Sequence, residues 1–131
     1  MRVMQIVTSP RNANSTSKKL SNYFVERLRE GVPNLEIDYL DTSIETPPHI
    51  TSEFIEAMNA TPLERSESMK QTLSLSDSLC ARVLMSDLLV FSIPSQSFAM
   101  PSGFKAFIDH IVRIGLTYLI NDDGSTTGKV N

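Results

Sequence analysis

The chain has 131 residues, of which 40% are hydrophobic and 21% charged, and its formal net charge is −3. This length fits one globular domain, and its scattered lysines and arginines lack the basic patch that marks a nucleic-acid-binding protein. No apolar run approaches the roughly 18 residues of a membrane span, and we recognise no signal peptide. The single cysteine, Cys80, excludes an internal disulfide. We therefore expect a cytoplasmic protein without nucleic-acid or membrane partners.

The sequence alternates predicted strands and helices. Strands are predicted where apolar residues are continuous or alternate with charged ones, and helices where they recur every three or four residues. Gly31 and Gly115 are predicted to stop the helices before them, and Ser66 to begin the longest one. The predicted strands are Val3 to Val7, the edge strand Leu35 to Leu40, Asp87 to Ile93 and Thr117 to Ile120; the predicted helices are Ser17 to Glu30, Ser52 to Asn59, Ser66 to Leu84 and Ser102 to Arg113.

A hydroxyl-rich turn, Thr8 to Ser17, joins the first strand to the first helix. A helix N-terminus presents unpaired N–H groups and the positive end of the helix dipole, both of which favour an anion such as phosphate. The candidate donors are the hydroxyls of Ser9, Ser15, Thr16 and Ser17, and Arg11 is a candidate cation. A cluster of helix-capping residues without a ligand is the alternative interpretation.

Alternating strands and helices predict a doubly wound parallel sheet, in the order two-one-three, with helices on both faces. The loops after strands one and three then lie side by side at the carboxyl edge, where such sheets bind ligands. The second of these loops, Pro94 to Gly103, offers hydroxyls, an amide and the aromatic Phe98. These groups suit a planar heteroaromatic ring, although an ordinary connecting loop has the same composition.

Several segments, taken in chain order, resemble the N-terminal two-thirds of the FMN-dependent NADH-azoreductases, also called NADH:quinone oxidoreductases, which have a flavodoxin-like fold. The resemblance covers essentially the whole chain. In the second loop the family's Met-Tyr-Asn-Phe is replaced by Ser95-Gln96-Ser97-Phe98. The matching segments are Ser9 to Ser17 with Leu20 to Phe24, Pro94 to Pro101, Phe104 to Asp109, and Val112 to Tyr118 followed by Gly124 and Thr127 to Lys129.

The resemblance implies an FMN-dependent oxidoreductase that works as a homodimer. NADH or NADPH would deliver hydride to the flavin, and a quinone or azo compound would then take the two electrons in a ping-pong reaction. The family requires no catalytic acid or base and no metal. By resemblance, Ser9, Ser15, Thr16 and Ser17 hold the FMN phosphate, and Ser95, Gln96, Ser97 and Phe98 contact the isoalloxazine ring.

The fourth and fifth strands of the family sheet have no counterpart before Asn131, so residues 1–131 are interpreted as a single FMN-binding domain that is truncated at its C-terminus. We therefore expect an exposed apolar edge on strand three, weakened FMN binding and reduced activity. The alternative hypotheses are a catalytically silent fragment, a flavodoxin-like interaction module, or a domain for another nucleotide. The last is disfavoured because the chain lacks a GxGxxG turn.

Three further polar groups are interpreted without a ligand. His110 is predicted to be a surface residue of its helix, and no second histidine lies at metal-binding spacing. Asp122 and Asp123 precede Gly124 and are predicted to form a turn. Cys80 is predicted to be a small core residue.

Overall fold

The computed structural model describes residues 1–11 and 14–130; Asn12 and Ala13, both in the predicted hydroxyl-rich turn, and Asn131 lie outside the described residues. Strands and helices alternate through most of this range. The elements are β1 (Arg2–Val7), α1 (Thr16–Gly31), β2 (Glu36–Asp41), α2 (Ser52–Asn59), α3 (Glu67–Leu84), β3 (Leu88–Ser92), α4 (Ser102–Ile111), β4 (Tyr118–Ile120) and β5 (Thr126–Gly128).

The main sheet is parallel and has the strand order β2-β1-β3, as predicted from the sequence. Val7, the last residue of β1, is paired with Asp41 on one side and with Ser92 on the other. All three strands therefore end at the same level. Their following loops leave the sheet from one edge, because parallel strands share a direction.

Helices cover both faces of this sheet. Met4 and Ile6 of β1 point to the face covered by α3 and α4, where they join the main hydrophobic core. Gln5 points to the opposite face, where its side-chain amide donates to Ser21 and Asn22 of α1. The core on the α3 and α4 side contains Met4, Ile6, Leu40, Leu79, Val83, Phe104 and Phe107.

Much of the apolar surface of α1 is exposed. The side chains of Leu20 and Tyr23 are 68% and 65% exposed, while Val25 is buried. The outer edge of β3 has no strand partner within residues 1–11 and 14–130. Phe91 of β3 and Ile93 just after it are exposed, as expected for an apolar strand at the edge of the sheet.

Helix α4 ends in a buried polar cluster. His110 is only 2% exposed, so the prediction of a surface histidine is wrong. The edge of the Phe54 ring packs against its imidazole, and its Nε2 lies 3.0 Å from the carbonyl oxygen of Pro48. Arg113, which is also buried, donates to Ser76 and pairs with Asp77 of α3. This cluster fastens the segment that contains α2 to the end of α4.

The remaining differences from the predicted elements are small. Helix α2 has the predicted bounds and Ser66 caps α3. Helix α1 includes Gly31 and is capped by Val32, and α4 ends two residues before Arg113. The predicted turn before Gly124 is present, and it joins β4 to a short partner strand, β5, that was not predicted.

Candidate functional site

Three loops meet at the carboxyl edge of the sheet. The amide of Thr8 donates to the carbonyl of Ser92 at 3.2 Å, and the amide of Thr42 donates to the carbonyl of Val7 at 2.9 Å. These bonds continue the strand pairing by one residue on each side of β1. The loop after β1 (the first loop, 8–15) is thereby held between the loop after β2 (42–51) and the loop after β3 (the second loop, 93–101).

The hydroxyl-bearing residues of the first loop and of the start of α1 differ in exposure. Ser9 and Ser15 are buried, whereas Ser17 is half-buried and Thr16 exposed. The Ser15 hydroxyl accepts from the amide of Lys18 at 3.2 Å, which makes it the N-cap of α1, and lies 3.1 Å from the Ser17 hydroxyl. Ser15 therefore caps α1. The amides of Thr16 and Ser17, in the first turn, have no acceptor within the helix itself.

A buried ion pair joins α1 to the end of β2. The Lys18 ammonium lies 2.5 Å from one carboxylate oxygen of Asp41, and the other oxygen accepts from the amide and the hydroxyl of Ser43. Burial alone raises the pKa of Asp41, but Lys18 and the two Ser43 donors lower it by more, so the net pKa is below the usual value. Asp41 is therefore ionised at neutral pH, and the Lys18 charge already has a partner.

The second loop carries a strained two-residue turn at its tip. Gln96 and Ala99 exchange two backbone hydrogen bonds, and the residues between them, Ser97 and Phe98, have φ values of 50° and 64°. A left-handed conformation costs an L-residue about 1–2 kcal/mol, so two in succession are a notable strain. The turn leaves the Phe98 ring fully exposed beside the sheet edge, along with the side chains of Ser95 and Ser97.

Clefts lie on both sides of the first loop. The first, of about 230 Å³, separates the first and second loops from the loop after β2. Sequence reasoning missed the contribution of that loop, because its residues fall in an irregular segment without a recognisable motif. The lining residues are Thr8, Pro10, Thr42, Ser43, Thr46, Gln96, Pro101, Ser102 and Gly103.

The second cleft, of about 480 Å³, lies between α1 and β3 and is lined by Ser17, Ser21 and Ser92 together with apolar side chains. Ser92 is buried, and its hydroxyl finds no hydrogen-bond partner among the described residues. A buried hydroxyl without a partner is costly and suits a site that a polar ligand completes. The predicted site residues are thus divided: Gln96 lines the first cleft, Ser17 lines the second, and Ser9 and Ser15 lie buried in the loop between them.

The arrangement of strands, loops and helices has known counterparts. Residues 1–130 match a protein family described as having a flavodoxin-like fold. The chain belongs to this flavodoxin-like family. The predicted fold class is therefore confirmed, and the two loops occupy the ligand-binding edge that is typical of doubly wound sheets.

Within the flavodoxin-like family, two similar proteins have been named for their activity. One is the FMN-dependent NADH:quinone oxidoreductase 2 of Hahella chejuensis, which is 37% identical over 99% of this chain and 64% of its own length. The other is the FMN-dependent NAD(P)H:quinone oxidoreductase 1 of Pseudomonas aeruginosa, which is 37% identical over 94% of this chain and 59% of its own length. The chain thus spans less than two thirds of these relatives.

A solved flavodoxin-like structure has the same fold. The azoreductase of Bacillus anthracis superimposes with a TM-score of 0.87 at 23% identity, over 98% of this chain and 62% of the other. Identity at this level supports the fold and carries no assignment of individual residues.

Two further features of the structure concern possible partners. Within the described part of the chain, no three His, Cys, Asp or Glu side chains are grouped so that they would hold a metal ion. No helix among residues 1–11 and 14–130 combines the length and the apolar character needed to cross a membrane.

Proposed function

We propose that this chain is the FMN-binding part of a NAD(P)H oxidoreductase that reduces quinones and azo compounds. The observation that carries the proposal is the meeting of the hydroxyl-rich first loop and the exposed aromatic turn of the second loop at one edge of the sheet. The names of the two relatives at 37% identity support the choice of FMN and of a quinone acceptor.

The first loop fits the phosphate end of FMN. The amides of Thr16 and Ser17 lie in the first turn of α1, where the helix itself supplies no acceptor, and Ser15, whose hydroxyl lies 3.1 Å from that of Ser17, caps this turn. The loop is rich in hydroxyls that the strand and helix hold in place. We assign phosphate binding to Ser9, Ser15, Thr16 and Ser17.

The second loop fits the ring end. The Phe98 side chain presents an apolar face, and Ser95, Gln96 and Ser97 present hydroxyl and amide donors to the polar edge of a planar heteroaromatic ring. Because two hydrogen bonds close the Gln96–Ala99 turn, the backbone that carries Gln96, Ser97 and Phe98 is ordered before a ligand arrives.

FMN, when bound, supplies two-electron chemistry whose net reaction converts NAD(P)H, a proton and a quinone into NAD(P)⁺ and a hydroquinone. The chain's residues bind and orient the ring, and donors at its polar edge stabilise the negative charge that reduction places there. We assign no side chain as catalytic acid or base. The proposal includes a homodimer in the cytoplasm, on the resemblance to the azoreductases, and sedimentation analysis of the purified chain tests the dimer.

The proposal is tested by loading the full chain with FMN and following the visible flavin band. NADH added without oxygen is expected to bleach the band, and a quinone to restore it. A chain that gains no flavin band, or whose band NADH leaves unchanged, would contradict the proposal and favour a catalytically silent module.

A matched pair of variants tests the phosphate site. Ser17→Ala removes one neutral hydrogen bond to the phosphate and is expected to weaken FMN binding about three- to tenfold. Ser68→Ala changes the same residue type at the equivalent second position of α3 and is expected to leave FMN affinity unchanged. Equal affinities of the two variants would remove the first loop from the proposal.

A further inference from the structure

Asp41 contacts both α1 and the loop after β2, the two segments that adjoin the first loop. It is the last residue of β2 and is 4% exposed. One of its carboxylate oxygens lies 2.5 Å from the Lys18 ammonium; the other accepts from the Ser43 amide at 3.0 Å and from the Ser43 hydroxyl at 2.6 Å. Neither the Asp41 carboxylate nor the Lys18 ammonium is among the groups assigned to the flavin.

The network continues from Asp41 into the first loop at two places. Ser43 places its hydroxyl 3.2 Å from the carbonyl oxygen of Ser9, so its single proton is shared between that carbonyl and Asp41. Lys18 belongs to the first turn of α1, and its amide is the one that Ser15 caps. Asp41 is therefore linked through one residue to Ser9 and through another to Ser15.

The ion pair is also nearly withdrawn from solvent, with the side chains of Lys18 and Asp41 13% and 6% exposed. A buried charge that loses its partner is strongly destabilised, so the pair resists being separated. The charge of Lys18, in the first turn of α1, is thus committed to Asp41. The groups assigned to the phosphate are amides and hydroxyls at a helix N-terminus, where the helix dipole also favours an anion.

We propose that Asp41 is a positioning residue that holds the first loop and the first turn of α1 in the geometry that binds the phosphate of FMN, and that Lys18 acts as its tether instead of as the phosphate's counter-ion. This inference rests on the proposed function. It gives a role in phosphate binding to the last residue of β2.

The test compares FMN with riboflavin, which has the same ring and lacks the phosphate. Dissociation constants for both flavins are measured by fluorescence titration on the full chain. Asp41→Asn is expected to weaken FMN binding and to leave riboflavin affinity unchanged. The expected loss is about tenfold, as is typical when a residue that orients the binding groups is removed. Asp38→Asn is the matched control, because Asp38 lies on the same strand and is ion-paired with Arg82. It is expected to leave the ratio of the two affinities unchanged.

The FMN affinity of Asp41→Asn shows whether Lys18 is the tether of Asp41 or the counter-ion of the phosphate. If Lys18 were the counter-ion of the phosphate, Asp41→Asn would release its charge and FMN would bind more tightly; that result, or an unchanged ratio, overturns the inference. Ser43→Ala keeps the Lys18–Asp41 ion pair and the amide bond to Asp41 but removes the hydroxyl that joins Asp41 to Ser9, so it decides the question if Asp41→Asn does not fold. It is expected to lower the affinity for FMN about threefold and to leave riboflavin unaffected.

The same measurements distinguish this inference from the proposed function. A wild-type chain that binds neither flavin contradicts the proposed function and the inference with it. A wild-type chain that binds FMN more tightly than riboflavin, with Asp41→Asn and Ser43→Ala behaving like wild type, contradicts the inference alone.

Discussion

Replacement of Gly103 by alanine tests how closely α4 must approach the loop after β2. A Cβ atom at this position would lie 2.6 Å from the backbone carbonyl oxygen of Thr42, a distance that real Cβ atoms essentially never show. Because the obstacle is backbone, the start of α4 must move away, and overpacking of this kind costs about 1–3 kcal/mol. Alanine returns about 0.5–1 kcal/mol because it favours the helix, so we expect a net loss of about 1–2 kcal/mol.

Thermal and urea unfolding measure this loss, which for a chain of this length corresponds to a fall in Tm of about 4–8 °C. Gly31→Ala is the matched control, because a Cβ there would meet nothing within 4 Å. It lies at the end of α1 and is expected to keep or slightly raise the stability. If Gly103→Ala were as stable as Gly31→Ala, the close packing of α4 on the loop after β2 would be refuted, and with it the shape of the first cleft.

Three other substitutions give separate tests. Ser15→Ala and Ser66→Ala each remove an N-cap and are expected to lower the free energy of unfolding in urea by about 1 kcal/mol. Only Ser15→Ala is also expected to weaken FMN binding. Equal effects of the two variants on FMN affinity would contradict FMN binding by the first loop. Ser97→Gly relieves a left-handed conformation and should stabilise the chain by about 0.5–1 kcal/mol, so a loss of stability in the same assay would show that the turn is unstrained.

Hydrogen bonds from Arg82 are the main cause that lowers the pKa of Asp38 from its usual value of 3.8. The ionised Asp38 therefore stabilises the fold above about pH 4, and this stabilisation is lost as the pH falls through the lower pKa of the folded state. Asp38→Asn should therefore cost about 1–2 kcal/mol at pH 7 and progressively less below pH 4, and a difference that stays constant with pH would contradict this.

The alternation of strands and helices could be predicted from the sequence because it depends on local patterns. Residues 52–59 and the cap at Ser66 are governed by apolar spacing and by hydroxyl chemistry within a few residues. The strand order needed one more rule, the right-handed crossover between parallel strands. The edge position of β2 followed from the charged residues, Glu36 and Asp38, that alternate with its apolar ones.

Burial was harder to predict, because it depends on which elements meet in space. Leu20 and Tyr23 lie on one helix face, as the spacing indicates, yet both are exposed. In α2, Ile55 and Phe54 are both apolar neighbours, yet Ile55 is exposed while Phe54 is buried. His110 is covered by the Phe54 ring and the Pro48 backbone, which lie more than fifty residues earlier in the chain. No local pattern around His110 contains that information.

In the candidate site, too, local features could be predicted from the sequence and features that depend on tertiary contacts could not. The hydroxyl-rich first loop was identifiable because it stands between a buried strand and a helix. The role of Asp41 and Ser43 was not, since it depends on the pairing of Val7 with Asp41, which places the two loops side by side. The left-handed turn at Ser97 and Phe98 was also missed, because neither residue favours that conformation by itself.

An amide chemical-shift titration of the full chain with FMN reports where the ligand lies. We expect saturable shifts concentrated at Ser9, Ser15 to Ser17 and Ser95 to Phe98, with the phosphate-end shifts absent when riboflavin is used. A third cleft, between α4 and the β4–β5 hairpin, is lined by Ile111, Thr117, Tyr118 and Thr126. Shifts that were absent, or that were confined to this cleft, would contradict the proposed site.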